Sequence, residues 1–175
     1  MKISIKKFQI FSTIFTVVLG TILHFTYGWS NNNPVVGAFS PVNESTREHL
    51  QILIFPSLIT TIFGYFHFKK EVPNYLCSKV IGILTAMIFI TIVFYTYTGV
   101  LGTNIALINI LIFILAVIVG EFVSYILVNS RFKCKKNVAV IILIILSILF
   151  VYFTFNAPEI GIFKDPISGG YGISI

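Results

Sequence analysis

Five apolar runs dominate this chain, at about 8–27, 47–68, 77–98, 104–128 and 137–155, with only short polar breaks between them. Each is as long as or longer than the ~18 residues that mark a transmembrane helix. At 1.5 Å per residue, 20 residues in a helix cover the ~30 Å hydrocarbon core of a bilayer. Inside that core no water is present to satisfy the backbone, so a span of this kind must be a helix, with its N–H and C=O groups paired internally. The runs therefore predict an all-α polytopic membrane protein of five helices, one integral membrane domain over 1–175, with a tail from 156 to 175. Composition closes the soluble alternative. Apolar residues make up 57% of the chain and charged residues 10%, against about 25% charged in soluble domains.

Charge placement gives the expected sidedness. The net charge of +6 could suggest nucleic acid, but the basic residues lie in clusters between apolar runs and make no basic helical face. Of the 12 Lys and Arg, only Arg47 and Lys164 fall outside the N-terminus and the 69–79 and 129–137 breaks. The positive-inside rule then puts the N-terminus in the cytoplasm and the C-terminus outside. The expected partner of the basic clusters is the anionic inner leaflet, not nucleic acid. The first run is long for a signal peptide, and Tyr27-Gly28-Trp29 follows it where a small-x-small cleavage pattern would stand. Cys77 and Cys134 both fall on the cytoplasmic side, where a disulfide is not expected, and two lone thiols carry no metal signature.

The exception to the apolar pattern is the stretch from His24 to His49, which is polar, turn-rich and aromatic. Thr13, Thr16, Gly20, His24 and Tyr27 recur at helical spacing, a small-residue stripe of the kind that lets helices approach closely in lipid. His24 should therefore point into the bundle. On the second span His49, Leu53, Ser57, Thr60 and Gly64 make a similar face, and Pro56 lies within the helix. Ser45-Thr46-Arg47-Glu48 fits a capping box, with Ser45 as N-cap and Glu48 reaching back to its amide.

Chemistry on the external face would draw on His24, Glu44, Glu48, His49 and Asp165. Two imidazoles with a carboxylate suit a catalytic zinc that keeps an open position. In that case His24, His49 and Asp165 are the candidate ligands, and Glu44 or Glu48 is the candidate base. Each residue also has a structural role open to it: Glu48 as a cap, Glu44 at a helix N-terminus, His24 as an interhelical hydrogen-bonding residue, and Asp165-Pro166 as a turn. Glu121 is a separate candidate. It lies ~10 Å inside the fourth span, where a lone charge is costly. It requires protonation or a partner, and Lys79 is the nearest by level. The glycine-rich end, Gly169 to Gly172, has no phosphate-loop pattern. With Tyr171, Ile173 and Ile175 it is expected to fold over the first loop and close a pocket.

LHFTYGWSNNNPVVGAFSPVNESTREHL and the terminal FKDPISGGYGI resemble a family of small integral membrane proteins of Gram-positive bacteria, a domain of unknown function. Arg47 stands where that family often carries Trp. The resemblance implies a bacterial plasma membrane and no particular activity. The expected function is a polar pocket at the external face that binds a metal or a small ligand. The alternatives are a metal-assisted hydrolase of lipid or envelope substrates, a small transporter coupled through Glu121, and an accessory subunit with a protein partner that the sequence does not name.

Overall fold

The computed structural model describes residues 4–173; Lys2 of the N-terminal basic cluster and Ile175 of the tail lie outside them. The described chain is helical, with no strand, and five helices are long and apolar enough to cross a membrane. These are α1 (Ile5–Trp29), α3 (Thr46–Phe68), α4 (Tyr75–Leu101), α5 (Ala106–Val128) and α6 (Lys136–Phe155). A four-residue helix, α2 (Pro34–Gly37), lies in the first loop, and a 3₁₀ turn, Gly161–Phe163, lies in the tail.

Local sequence sets the ends of these helices. The Ser4 hydroxyl accepts from the Lys7 amide and caps α1. Asn31 and Asn32, with φ of 55° and 59°, turn the chain after α1 in the left-handed region that asparagine tolerates. Asn33 then caps α2 ahead of Pro34, whose missing N–H costs nothing at a first helical position. Gly102, at φ 68°, ends α4 in a left-handed C-cap.

The N-terminus of α3 differs from its expected form. Ser45 occupies the N-cap position but its side chain makes no capping bond. Glu48 turns away from the Ser45 amide, which instead donates to Asn43 Oδ1 at 2.9 Å. One Glu48 oxygen accepts from Arg47 and the other from the Val42 amide. A buried arginine next in sequence outcompetes the local capping bond.

Helix α3 is the most buried span and contacts each of the other four. It runs on through Pro56, whose missing N–H leaves the Ile52 carbonyl without its helical donor. Gly20 of α1 approaches that carbonyl so closely that a Cβ would stand 2.7 Å from it. Between α4 and α5 the contact is backbone on backbone. A Cβ at Gly82 would lie 2.4 Å from the Gly120 carbonyl oxygen, and one at Gly120 would lie 2.6 Å from that of Gly82.

The helix ends form two faces of different chemistry. One, the loop face, carries the first loop, the α4–α5 turn and the tail. The other, the basic face, carries Lys6, Lys7, Lys69, Lys70 and the segment from Arg131 to Lys136. On the basic face Asn74 Nδ2 donates to the Leu127 carbonyl at 2.8 Å. Cys77 and Cys134 are joined there in a disulfide, with their Cα atoms 6.3 Å apart. That corrects the expectation of two free thiols. The expectation came from the compartment, whereas helix packing brings together two residues 57 apart in sequence.

Candidate functional site

The loop face is built around buried polar side chains that hold irregular backbone in place. Ser40, fully buried, donates to the Leu23 carbonyl and lies 2.6 Å from Thr26 Oγ1, which fastens the loop to the last turns of α1. Gln51, also fully buried, donates to the carbonyls of Gly37 and Ser40 and accepts from Thr154 of α6. The loop is thereby clamped to α1 and α3, and α3 in turn to α6.

The tail closes over this assembly. Asn43 Nδ2 donates to the Gly172 carbonyl at 3.1 Å, and the Ile173 amide donates to the Thr154 carbonyl at 3.1 Å. Lys164 and Tyr171 pair as an isolated antiparallel bridge. Asp165 organises the turn between them: its carboxylate accepts from the amides of Ile167 and Ser168 and from the Ser168 hydroxyl. The backbone of Glu44 also donates to it, which links tail to loop.

These bonds set the acidity of Asp165. Burial pushes its carboxyl up, but the Ser168, Ile167 and Glu44 hydrogen bonds outweigh burial and hold it below the ordinary value. A carboxyl with a depressed folded pKa stabilises the fold at every pH above its unfolded pKa. That contribution is lost as pH falls through the lower folded value. The tail is therefore expected to stay docked down to about pH 3.9, the ordinary Asp value, and to release below it. A carbon-13 titration of the Asp165 carboxyl checks this; a midpoint at or above the ordinary value contradicts it.

Anchored in this way, Glu44 faces both histidines. Its Oε1 lies 3.5 Å from His24 Nε2, and its Oε2 lies 3.6 Å from His49 Nε2. The two imidazole centroids are 5.6 Å apart. Nδ1 of His49 is 3.0 Å from the Ser45 carbonyl, which can only accept, so that nitrogen carries the proton. In the neutral ring Nε2 is then a bare acceptor aimed at a carboxylate oxygen. His24 Nδ1 is buried with no hydrogen-bond partner.

The trio stands at the polar end of a cavity of about 290 Å³. Thr21 and Phe25 of α1 form one wall, Ala106, Ile110 and Phe113 of α5 form the other, and Ile52 of α3 lies between them. Below the cavity α1 and α5 close together, since a Cβ at Gly20 would lie 2.6 Å from Phe113 Cζ. Toward the loop face they part. Phe25 and Ile110 are exposed, so the cavity opens sideways between the two helices.

The structure thus brings together three of the five expected residues, His24, Glu44 and His49, and places the other two apart from them. Asp165 does not line the cavity, because its carboxylate is engaged by its own turn and by the Glu44 amide. Glu48, the alternative base, is 1% exposed and sealed against Arg47, whose guanidinium also covers the Phe150 ring at 5.1 Å. Although His24, Glu44 and His49 converge, no three His, Cys, Asp or Glu side chains among the described residues are arranged so that they could hold a metal ion. Asn109, which sequence reasoning missed, also lines the cavity, with its amide tied to Tyr97 and Asn104. Its signal was a polar residue one turn inside an apolar run.

Glu121 lies apart from this site and pairs with Lys79, the partner suggested by its level. Lys79, 1% exposed, also donates to Ser12 Oγ at 3.1 Å and Gln9 Oε1 at 3.4 Å. Ser12 donates to Glu121, and Ser12 and Thr60 share a 2.8 Å bond, while Gln9 donates to Ser124. The network ties α1, α3, α4 and α5 together through their polar residues.

The model of a family of unknown function (DUF6512) matches residues 1–173. No curated protein and no solved structure matches the chain.

Proposed function

We propose, for a chain that belongs to the DUF6512 family and takes no activity from that membership, that the cavity under the first loop binds a small amphiphile with a basic nitrogen. The head of the ligand is held by Glu44 between His24 and His49, and its apolar body lies along Phe25, Ile110 and Phe113. By the positive-inside rule the cavity belongs to the outer face of the plasma membrane, so the ligand enters sideways from the outer leaflet.

One observation carries this reading: both Nε2 atoms converge on the two oxygens of one carboxylate, at 3.5 and 3.6 Å. At His49, with Nδ1 protonated toward Ser45, acceptor faces acceptor. Such an arrangement calls for a proton or an N–H donor between the groups. An ammonium brings three donors and a positive charge to a negative site, and the Phe25 ring beside His24 favours a cation at the polar end. A carboxylate or phosphate head brings like charge to Glu44.

As a hydrolase the same site would use Glu44 as its base, since Glu48 is sealed against Arg47. Transport through Glu121 has less support, because that carboxylate is held in a four-helix brace.

Calorimetry on the protein in nanodiscs tests the reading with octylamine and octanoate as probes. Octylamine binds and octanoate does not, and Glu44→Gln weakens octylamine at least about tenfold, the scale of one charge-assisted hydrogen bond. Equal binding of the two probes, or indifference to Glu44→Gln, contradicts it.

A further inference from the structure

We infer that a second cavity, between α3 and α6 on the basic face, holds an anionic diacyl phospholipid of the adjoining leaflet. At the loop face α3 and α6 are tied together by Arg47 over the Phe150 ring and by Gln51 with Thr154. Toward the basic face they part around a groove of about 470 Å³. Ile62 of α3 and Ile144 and Ile148 of α6 line its walls, and Lys136, Asn137 and Tyr65 stand at its polar end.

Its dimensions suit an acyl chain. The lining on α6 runs from Lys136 to Ile148, about 18 Å at 1.5 Å per residue. One leaflet contributes ~15 Å, half of the ~30 Å core. A chain hanging from the basic face therefore reaches the groove's end near the bilayer midplane.

Charge selects the head. Lys136 is exposed and forms no ion pair with a carboxylate among the described residues. Arg131, Lys133 and Lys135 precede it with no acidic residue between. The Cys77–Cys134 disulfide fixes this segment to the first turn of α4, so Lys136 is held at the mouth. A basic pocket between transmembrane helices on this side is matched by an anionic lipid head, which brings charge and apolar chain in one molecule.

The test is native mass spectrometry of the full chain extracted from vesicles of equal phosphatidylglycerol and phosphatidylcholine. The wild type retains phosphatidylglycerol over phosphatidylcholine by about fivefold, the worth of one basic residue near an anionic surface. Lys136→Glu and the milder Lys136→Met both abolish that preference, while Lys164→Glu, on the loop face, preserves it. Ile144→Trp, which fills the groove, lowers retention of both lipids. Equal retention by the wild type overturns the inference, as does a preference that survives both Lys136 variants. Retention unchanged in Ile144→Trp overturns the groove as the site.

Discussion

Lys79→Met is expected to destabilise the bundle by roughly 3–5 kcal/mol, the cost of stripping one partner from a buried ion pair. Glu121, 9% exposed and deep within α5, would be left among apolar side chains with one oxygen already lacking a hydrogen-bond partner. Hydrogen bonds between membrane helices average well under 1 kcal/mol, so the loss of Ser12 and Gln9 as partners is the smaller effect. The stranded charge is the larger one, and it identifies the rescue. Lys79→Met combined with Glu121→Gln removes both charges, keeps an acceptor for Ser12, and should recover most of the loss. Thermal unfolding of the purified variants in one detergent measures this. A single variant as stable as the wild type contradicts the brace, and so does a double variant no better than the single.

The α4–α5 seam supports the second large effect. Gly82→Ala puts a methyl 2.4 Å from the Gly120 carbonyl oxygen. The obstructing atom is backbone in the middle of a helix, and no flexible side chain can yield. Near that end of the pair Asn74, which donates to the Leu127 carbonyl, resists the helices' drifting apart. Overpacking of this kind costs about 1–3 kcal/mol, against a gain in helix propensity of about 1 kcal/mol for replacing glycine. Gly99 gives the control. It lies in the same helix with nothing within 4 Å of its would-be Cβ. Gly99→Ala should therefore raise stability where Gly82→Ala lowers it. Equal shifts for the two would show that propensity, not contact, governs the seam.

What sequence made legible follows physical range. A run of twenty apolar residues declares a helix locally, so the five long helices and the small stripe of α1 could be read directly. The level of Glu121 in its helix was enough to point to Lys79, because depth is fixed by counting turns. The histidines could be assigned to one face but not to a distance. Their meeting over Glu44 depends on the loop clamped by Ser40 and Gln51, neither of which announces a role in sequence. Glu48 and Asp165 stand apart from the histidines for one reason. Both fit a site by residue type, yet each is drawn off by close neighbours, Arg47 in one case and Ser168 with two backbone amides in the other. The disulfide was missed because charge bias speaks about sides of a membrane, whereas Cys77 and Cys134 are joined by packing.

The chain has three histidines, and the third, His67, is exposed near the end of α3 on the basic face, which makes it an internal control. Nitrogen-15 spectra of histidine-labelled protein in nanodiscs, titrated with octylamine, therefore interrogate the cavity directly. The imidazole signals of His24 and His49 should move together and saturate, that of His67 should stay in place, and Glu44→Gln should erase the response. Three imidazoles that shift alike, or a His24 and His49 pair that never moves, would contradict a ligand cradle on Glu44.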